Sequence, residues 1–352
     1  MEIMFQKTEN PKEKPDESNL SFGKCFSDHM FIMDYEKGKG WYDPRIVPYG
    51  PLEVPPSMSV FHYGQAVFEG MKAYKGPEGQ ILLFRPEENM KRLNISNDRI
   101  CIPEIDEELC LEAIKELVNI DRDWVPGAEG TSLYIRPFII ATDPALGLKP
   151  SNSYKFIVIL SPVGVYYPQG INPVNIYVET KYIRAIPGGT GFAKTCGNYA
   201  ASMKAQAEAS EKGFIQVLWT IGERPVVQEV GSMNVFFKID GQVITPELDG
   251  SILPGITRDS VIRLLKSWDV PVVEKRIYID EIFEAAEEGK LEESFGTGTA
   301  AVISPIGGLN WEGREITINN SEIGGLSEKI YDNLTGIQTG KKEDPFGWII
   351  EV

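Results

Sequence analysis

The chain has 352 residues, 42% hydrophobic and 24% charged, a globular balance and a length that favours two cores over one. Its formal charge of -16 argues against a partner such as nucleic acid or an anionic membrane, since each phosphate contact calls for a local Lys or Arg. Cys25, Cys101, Cys110 and Cys196 show no CxxC spacing and are joined only by His29 and His62, so no metal site of the usual soft ligands can be assembled.

Residues 1–20 are polar, acidic and proline-containing, which predicts a flexible arm and is unlike a signal or transit peptide. No apolar run reaches bilayer-spanning length, and a cytoplasmic protein is the resulting expectation. Strands are predicted at 80–84, 131–140 and 154–160, where apolar runs are rich in β-branched and aromatic residues. Between them, Leu109, Leu111, Ala113, Ile114, Leu117 and Val118 give residues 107–120 one apolar helical face. Pro162, Gly164, Pro168, Gly170 and Pro173 then break the pattern. This divides the chain into a domain at 21–163, a connector at 164–176 and a domain at 177–352. The second half adds strands at 174–179, 214–220, 234–239, 272–275 and 300–306, with helices at 200–212, 256–268, 279–288 and 322–336. Without a regular βαβ period, a mixed α/β or α+β fold is expected.

The residues with the clearest chemistry lie in that half. Lys194 sits in Pro187-Gly-Gly-Thr-Gly-Phe-Ala-Lys194-Thr-Cys-Gly-Asn-Tyr199, and Glu229 follows in Gln-Glu229-Val-Gly-Ser-Met-Asn234. A glycine-lined lysine can approach a planar aldehyde and form a Schiff base with it. A later carboxylate can keep a pyridine nitrogen protonated, which makes the ring an electron sink. Leu253-Pro-Gly255-Ile256-Thr257-Arg258 opens an amphipathic helix whose first N–H groups suit a phosphate. Phe295-Gly-Thr-Gly-Thr299-Ala300-Ala301 combines glycines and hydroxyls as an oxyanion-binding turn or as a plain hairpin loop. Arg92, on a predicted helix, can serve a phosphate or stand in solvent. Tyr134 and Arg136 share one face of a strand, where a hydroxyl and a guanidinium can meet one carboxylate or simply pack.

A rival reading is nucleotide binding. Residues 188–195 differ from GxxxxGK[ST] only by Ala193 in place of the last glycine. Such a loop must follow a buried strand and open a helix, whereas Pro187 precedes this one and Gly197-Asn198 is expected to interrupt any helix.

Taken together, these segments resemble the branched-chain amino-acid aminotransferases, members of the fold-type-IV pyridoxal-phosphate enzymes. The likeness runs from about Phe22 to the end of the chain. It includes Phe-Glu-Gly-Met-Lys-Ala-Tyr at 68–74, Asp-Trp-Val-Pro-Gly at 123–127, Gly-Thr-Ser-Leu-Tyr-Ile-Arg-Pro at 130–137 and Gly-Asn-Tyr at 197–199. Glu-Val-Gly-Ser-Met-Asn at 229–234, Leu-Pro-Gly-Ile-Thr-Arg at 253–258 and Gly-Thr-Gly-Thr-Ala at 296–300 complete it.

The resemblance implies a smaller N-terminal α/β domain and a larger C-terminal pseudo-barrel, a homodimer, and pyridoxal 5'-phosphate between the domains. Lys194 would carry the cofactor and move the α-proton, Glu229 would hold the pyridinium proton, and Tyr199 would bond the ring's phenolic oxygen. Arg92, Arg184, Ile256, Thr257 and Thr299 would cradle the phosphate. Phe22, Tyr63, Phe68, Tyr134 and Tyr166 would wall the side-chain pocket, with Tyr134 and the Thr299-Ala300 turn at the α-carboxylate, Ser232 nearby and Arg136 at a distal carboxylate. Leucine, isoleucine and valine would all be accepted, because one methylene is worth only about 1–3 kcal/mol. Amino groups would pass to 2-oxoglutarate, giving L-glutamate.

Three positions depart from the family pattern. Ser232 stands where threonine is frequent, Cys196 where glycine is frequent, and Ala301 with Ser304 where vertebrate relatives carry a redox-active CxxC pair. A D-amino-acid aminotransferase or an aminodeoxychorismate lyase would use the same lysine and acid. The strand with Tyr134 and Arg136 and the long N-terminal half favour the branched-chain reading. Retention of Lys194 and Glu229 argues against a non-catalytic relative.

Overall fold

The computed structural model describes residues 1–165 and 171–352. Contacts divide the chain into two compact units: Met1–Tyr166 with Ala193–Cys196 and Gly336–Val352, and Tyr167–Phe192 with Gly197–Thr335. Lys194 belongs to the first unit, and so does the C-terminus, whose Ile349–Glu351 adds a strand beside Ile81–Phe84.

In the first unit a sheet runs in the order Met4–Phe5, Gly40–Pro48, His29–Glu36, Ser153–Val163, Ser132–Ala141, Met71–Lys75, Ile81–Phe84 and Ile349–Glu351. Ala66–Phe68 pairs with Ser132–Ala141 as well. Helix Glu107–Ile120 begins where Asp106 accepts a hydrogen bond from the Leu109 N–H at 3.0 Å, an N-cap, and it buries Cys110, Ala113, Ile114, Leu117 and Val118. The spacing of apolar residues predicted that helix end to end. Helix Pro86–Arg99 opens with proline at its first position and buries Asn89, Arg92 and Ser96 along one stripe. That stripe is polar, and its use is described below.

The hairpin His29–Glu36 and Gly40–Pro48 was not anticipated. Asp34, Tyr35 and Glu36 and then Tyr42, Asp43 and Arg45 blur the period-two alternation, and the pairing is recovered by long-range partners in Ser153–Val163. Residues 1–20 carry specific bonds in this fold. Met4 and Phe5 pair with Arg45 and Ile46, the Thr8 N–H reaches His29 Nε2 at 3.0 Å, and Glu17 accepts from the Gly127 and Ala128 N–H groups, each at 2.9 Å.

In the second unit six strands close on themselves: Val226–Val230, Gln216–Ile221, Val174–Glu179, Val302–Trp311, Leu291–Gly298 and Met233–Ile239, which returns to Val226–Val230 through Glu229 opposite Asn234. Closure pairs strand edges that would otherwise stay open and encloses a core with Ile176, Val178, Leu218, Val235 and Phe237. The pseudo-barrel expected of the second half is therefore present, within a mixed α/β fold. Helix Gly325–Gln338 takes its N-terminal cap from another element: Glu293, buried on Leu291–Gly298, accepts from the Leu326 and Ser327 N–H groups at 3.0 Å.

Two local expectations change. Gly296 and Gly298 lie in a strand, and the turn is confined to the residues after it. A side chain at Gly296 would come within 2.9 Å of Val230 and 3.0 Å of Met233, so close packing accounts for this glycine. The second is the helix after Lys194, which starts at Cys196 and continues through Gly197-Asn198 to Glu211. Glycine in a first helical turn is tolerated, so that part of the objection to nucleotide binding fails. Its other part holds, because Val174–Glu179 ends well before Gly188 and the lysine lies on extended chain.

Candidate active site

The first unit assembles its residues around Lys194. The Lys194 N–H donates to Ser96 Oγ at 2.8 Å, its carbonyl accepts from the Phe68 N–H at 3.1 Å, and Thr195 bridges to Val67. The backbone is thereby held from the polar stripe of helix Pro86–Arg99 on one side and from Ala66–Phe68 on the other. Lys194 Nζ lies 5.0 Å from the centre of the Phe68 ring, and the Arg136 guanidinium 4.6 Å from it.

Beside the lysine is a buried acid that the sequence reading passed over. Glu69 is fully buried; Arg92 grips it with Nε and Nη2 at 2.7 and 2.8 Å, and Asn89 donates at 2.8 Å. Burial works against the Glu69 charge, but Arg92, Lys194 and Asn89 outweigh it and hold the carboxyl below its ordinary range. Arg92, expected at a phosphate, thus has one edge committed to Glu69. The signal lay in the sequence, since Glu69 is a charge between apolar Phe68 and Gly70-Met71 ahead of a strand buried on both faces.

Tyr134 and Arg136 do share a face, and Arg136 Nη2 donates to the Tyr134 hydroxyl at 3.3 Å. Phe22 meets the Tyr134 ring edge to face at 4.9 Å. The tyrosine needs Gly70 beneath it, because a β-carbon there would stand 2.0 Å from the hydroxyl oxygen. Gly70→Ala should therefore cost roughly 1–3 kcal/mol through overpacking and displace the hydroxyl. Thermal denaturation with substrate titration checks this; an unchanged melting temperature together with unchanged Michaelis constants would count against it. Tyr63 is exposed, and its hydroxyl donates to the Leu146 carbonyl. Cys196 is exposed beside the lysine segment; burial of its sulfur raises the thiol's pKa and Arg136 opposes that shift. Tyr166 lies outside the described residues.

The second unit gathers a different set. Glu229 and Arg184 are buried and form an ion pair at 2.5 Å, a partnership the sequence did not suggest for either residue. Asn234, opposite Glu229 in the ring, links the acid to a helix start: its Nδ2 reaches Glu229 at 3.3 Å and the Leu253 carbonyl at 2.9 Å. The Leu253 N–H also donates to Glu229 at 3.3 Å. Helix Ile256–Ser267 follows, with Gly255 at its N-cap and no side chain capping it. A β-carbon at Gly255 would meet Asn234 Oδ1 at 2.0 Å. Ile256 and Thr257 thus open this helix just past the acid's own contacts. Thr299 and Ala300 are half-buried in the turn after Leu291–Gly298, whose Thr297 lies opposite Asn234. Tyr199 is half-buried on helix Cys196–Glu211, and Ser232 is exposed at the bend between Val226–Val230 and Met233–Ile239. Ala301 is half-buried and Ser304 buried.

Residues 66–308 match the family model for class IV amino-transferases. The chain belongs to that family. Among curated relatives it is 60% identical over 351 residues to branched-chain-amino-acid aminotransferase 2 of Bacillus subtilis, covering 99% of this chain and 97% of that one. It is also 57% identical to branched-chain-amino-acid transaminase 1 of the same organism, with 99% of each chain covered. Among solved structures, the branched-chain amino acid aminotransferase of Escherichia coli superposes with a TM-score of 0.77 at 27% identity, over 92% of this chain and 98% of that one. The branched-chain amino acid aminotransferase of Thermobaculum terrenum in its PLP-form shares the fold, with a TM-score of 0.71 at 22% identity, over 91% and 97%. With family and fold agreeing over nearly the whole length, this class IV aminotransferase is a branched-chain aminotransferase of fold type IV.

Proposed function

We propose that the chain transfers amino groups between L-leucine, L-isoleucine or L-valine and 2-oxoglutarate, with pyridoxal 5'-phosphate as cofactor. The observation that carries the assignment is a half-buried lysine on a doubly anchored strap, in a chain whose matched family and high-identity relatives are aminotransferases. The donor set suits that cofactor. A buried carboxylate paired with Arg184 suits a pyridine N–H, and a helix start without a side-chain cap, behind a glycine that tolerates no side chain, suits a phosphate. Lys194 would hold the aldehyde, Glu229 the ring nitrogen, Tyr199 the phenolic oxygen, and Ile256, Thr257 and Thr299 the phosphate with Arg92 and Arg184. When bound, the cofactor supplies an aldehyde that takes up the amino group and a ring that draws electrons from the α-carbon.

The protein's own work is positioning and proton transfer. The Lys194 amine carries the α-proton, and the Ser96 and Phe68 bonds fix the backbone from which it swings. Glu229, paired with Arg184, stabilises positive charge at the ring nitrogen. Phe22, Phe68 and Tyr134 present apolar surface to a branched side chain, with Tyr63 as a further part of the wall. The Tyr134 hydroxyl and the Thr299-Ala300 turn, with Ser232 near it, bind the α-carboxylate, and Arg136 receives the second carboxylate of glutamate.

No helix among the described residues is long and apolar enough to cross a membrane. A cytoplasmic homodimer completes the reading, supported by exposed Phe61, Leu146 and Leu148 on the first unit, an apolar set that a second copy would cover. Absorbance titration of the purified protein with L-leucine and then 2-oxoglutarate tests the function. Successive loss and return of the cofactor band is expected. A spectrum indifferent to L-leucine but responsive to D-alanine would transfer the assignment to a D-specific relative.

A further inference from the structure

Of the described residues in the proposed side-chain wall, Phe22 alone lies outside every helix and strand. Its ring is 42% exposed and meets Tyr134 edge to face at 4.9 Å. One aromatic contact of this kind is a modest interaction, and fixing the backbone of a surface segment costs conformational entropy. The place of the ring therefore depends on what holds the chain ahead of it.

That chain is held by Asp-Trp-Val-Pro-Gly at 123–127, a motif to which the catalytic chemistry gives no part. Glu17 accepts from the Gly127 and Ala128 N–H groups, each at 2.9 Å, through a single carboxylate oxygen. The same motif reaches the arm a second time through Asp28, which accepts from Trp124 Nε1 at 3.0 Å and from the Lys12 N–H at 2.8 Å. Between Glu17 and Phe22 the chain has little slack. Asp16 caps the short turn Glu17–Asn19, accepting from the Ser18 N–H at 2.9 Å and the Ser18 hydroxyl at 2.8 Å. The Leu20 carbonyl then lies against Gly164, where a β-carbon would stand 2.8 Å from its oxygen. Gly23 adopts a φ of 67°, a left-handed value suited to glycine, and turns the chain directly after the ring.

Resting on the reading that Phe22 and Tyr134 wall the side-chain pocket, we infer that Glu17 is a positioning residue for branched-chain substrates. Its carboxylate, clasped by the Gly127 and Ala128 N–H groups, sets the Phe22 ring against Tyr134 before a substrate arrives.

The physical basis is preorganisation. A wall that is in place for only a fraction of the time lowers the apparent affinity by that fraction. Apolar contact with a side chain remote from the reacting atoms is made alike in the ground state and the transition state, so its loss is felt in KM more than in kcat. The bonds that hold the Lys194 backbone, from Ser96 and Phe68, do not involve the arm. Gly127 and Ala128 are exposed, so with alanine at position 17 water can satisfy their N–H groups and the fold loses little.

The test compares the purified holoenzyme with Glu17→Ala, Glu17→Gln, Phe22→Ala and the double variant Glu17→Ala, Phe22→Ala. Glu17→Ala should raise KM for leucine about 5-fold and leave kcat within about 2-fold. Glu17→Gln, which keeps an acceptor oxygen, should recover most of the affinity. The double variant should match Phe22→Ala, because a residue that acts through the ring has nothing to add once the ring is gone. Amide hydrogen exchange at Gly127 and Ala128, measured without substrate, should quicken in Glu17→Ala and stay slow in Phe22→Ala. Additive losses in the double variant, or a fall in kcat as large as the rise in KM, would overturn the inference. So would quickened exchange with an unchanged KM, which would leave a clasp that serves the fold alone. Phe22→Ala separates the two levels: an unchanged KM there would remove the wall reading and the inference with it, whereas a raised KM there with none in Glu17→Ala would remove the inference alone.

Discussion

Lys194→Ala is expected to lower leucine transamination by about 10,000-fold or more, because one change removes both the cofactor's anchor and the base that carries the α-proton. The structure makes this a clean experiment. Ser96 Oγ and the Phe68 N–H bind the backbone of residue 194, and alanine leaves both bonds in place. Lys194 is half-buried, so its removal opens no large cavity. One electrostatic consequence reaches Glu69, which loses a nearby positive charge but keeps the two-point grip of Arg92. Stability should accordingly change by no more than roughly 1 kcal/mol. Borohydride reduction followed by peptide mapping provides the check: the wild type should be labelled at Lys194 and the variant nowhere. A variant with appreciable turnover, or a label on another lysine, would remove the basis of the functional assignment.

Glu229→Gln should affect activity and stability for separate reasons. Loss of the charge that favours a protonated ring nitrogen should reduce kcat by about 100- to 1000-fold, the magnitude found when a preorganised electrostatic partner is removed from a buried site. Independently, Arg184 is left buried without its anion, and breaking such a pair from one side typically costs roughly 3–5 kcal/mol. The double variant Glu229→Gln, Arg184→Met separates the two effects. Removing both charges should recover much of the melting temperature and none of the activity. Recovery of activity in the double variant would mean that the Glu229 charge serves the fold and not the chemistry.

The two networks differ in how visible they are along the chain. Lys194 and Glu229 stand in short glycine-bearing motifs, and the residues that bring Glu229 to the Ile256–Ser267 helix are likewise local, Asn234 opposite it and Leu253-Pro-Gly255 ahead of the helix. Glu69 with Arg92 and Lys194 with Ser96 are separated by 23 and 98 residues. No pattern along the chain marks such pairs. What could have been noticed was their type, a glutamate next to a fully buried strand and a serine on the buried stripe of a helix.

Secondary structure shows the same division. Glu107–Ile120 was legible because its apolar period, its aspartate cap and its acidic first turn agree on one answer. The hairpin at His29–Glu36 and Gly40–Pro48 was not, since its alternation is blurred by charged and aromatic residues and its register depends on a strand far along the chain. The helix from Cys196 was expected too late because Gly197-Asn198 reads as a break, whereas Asn198 Nδ2 bonds back to the Thr190 carbonyl at 2.8 Å and its Oδ1 accepts from the Thr190 hydroxyl at 2.6 Å.

By itself the sequence determined the kind of protein: acidic, mixed α/β, with a Schiff-base lysine and an acid in motifs whose order places the chain among the branched-chain aminotransferases. Those features depend on residue type and short spacing, which a linear chain carries intact. Tertiary structure alone decided which charges meet. It gave Arg184 to Glu229 and Arg92 to Glu69, brought the C-terminal strand back beside Ile81–Phe84, and set Glu17 on the Gly127 and Ala128 N–H groups. The reason is physical. A buried charge is tolerable only with compensation supplied across space, and the chain arranges that compensation by pairing strands and packing helices between positions far apart in order.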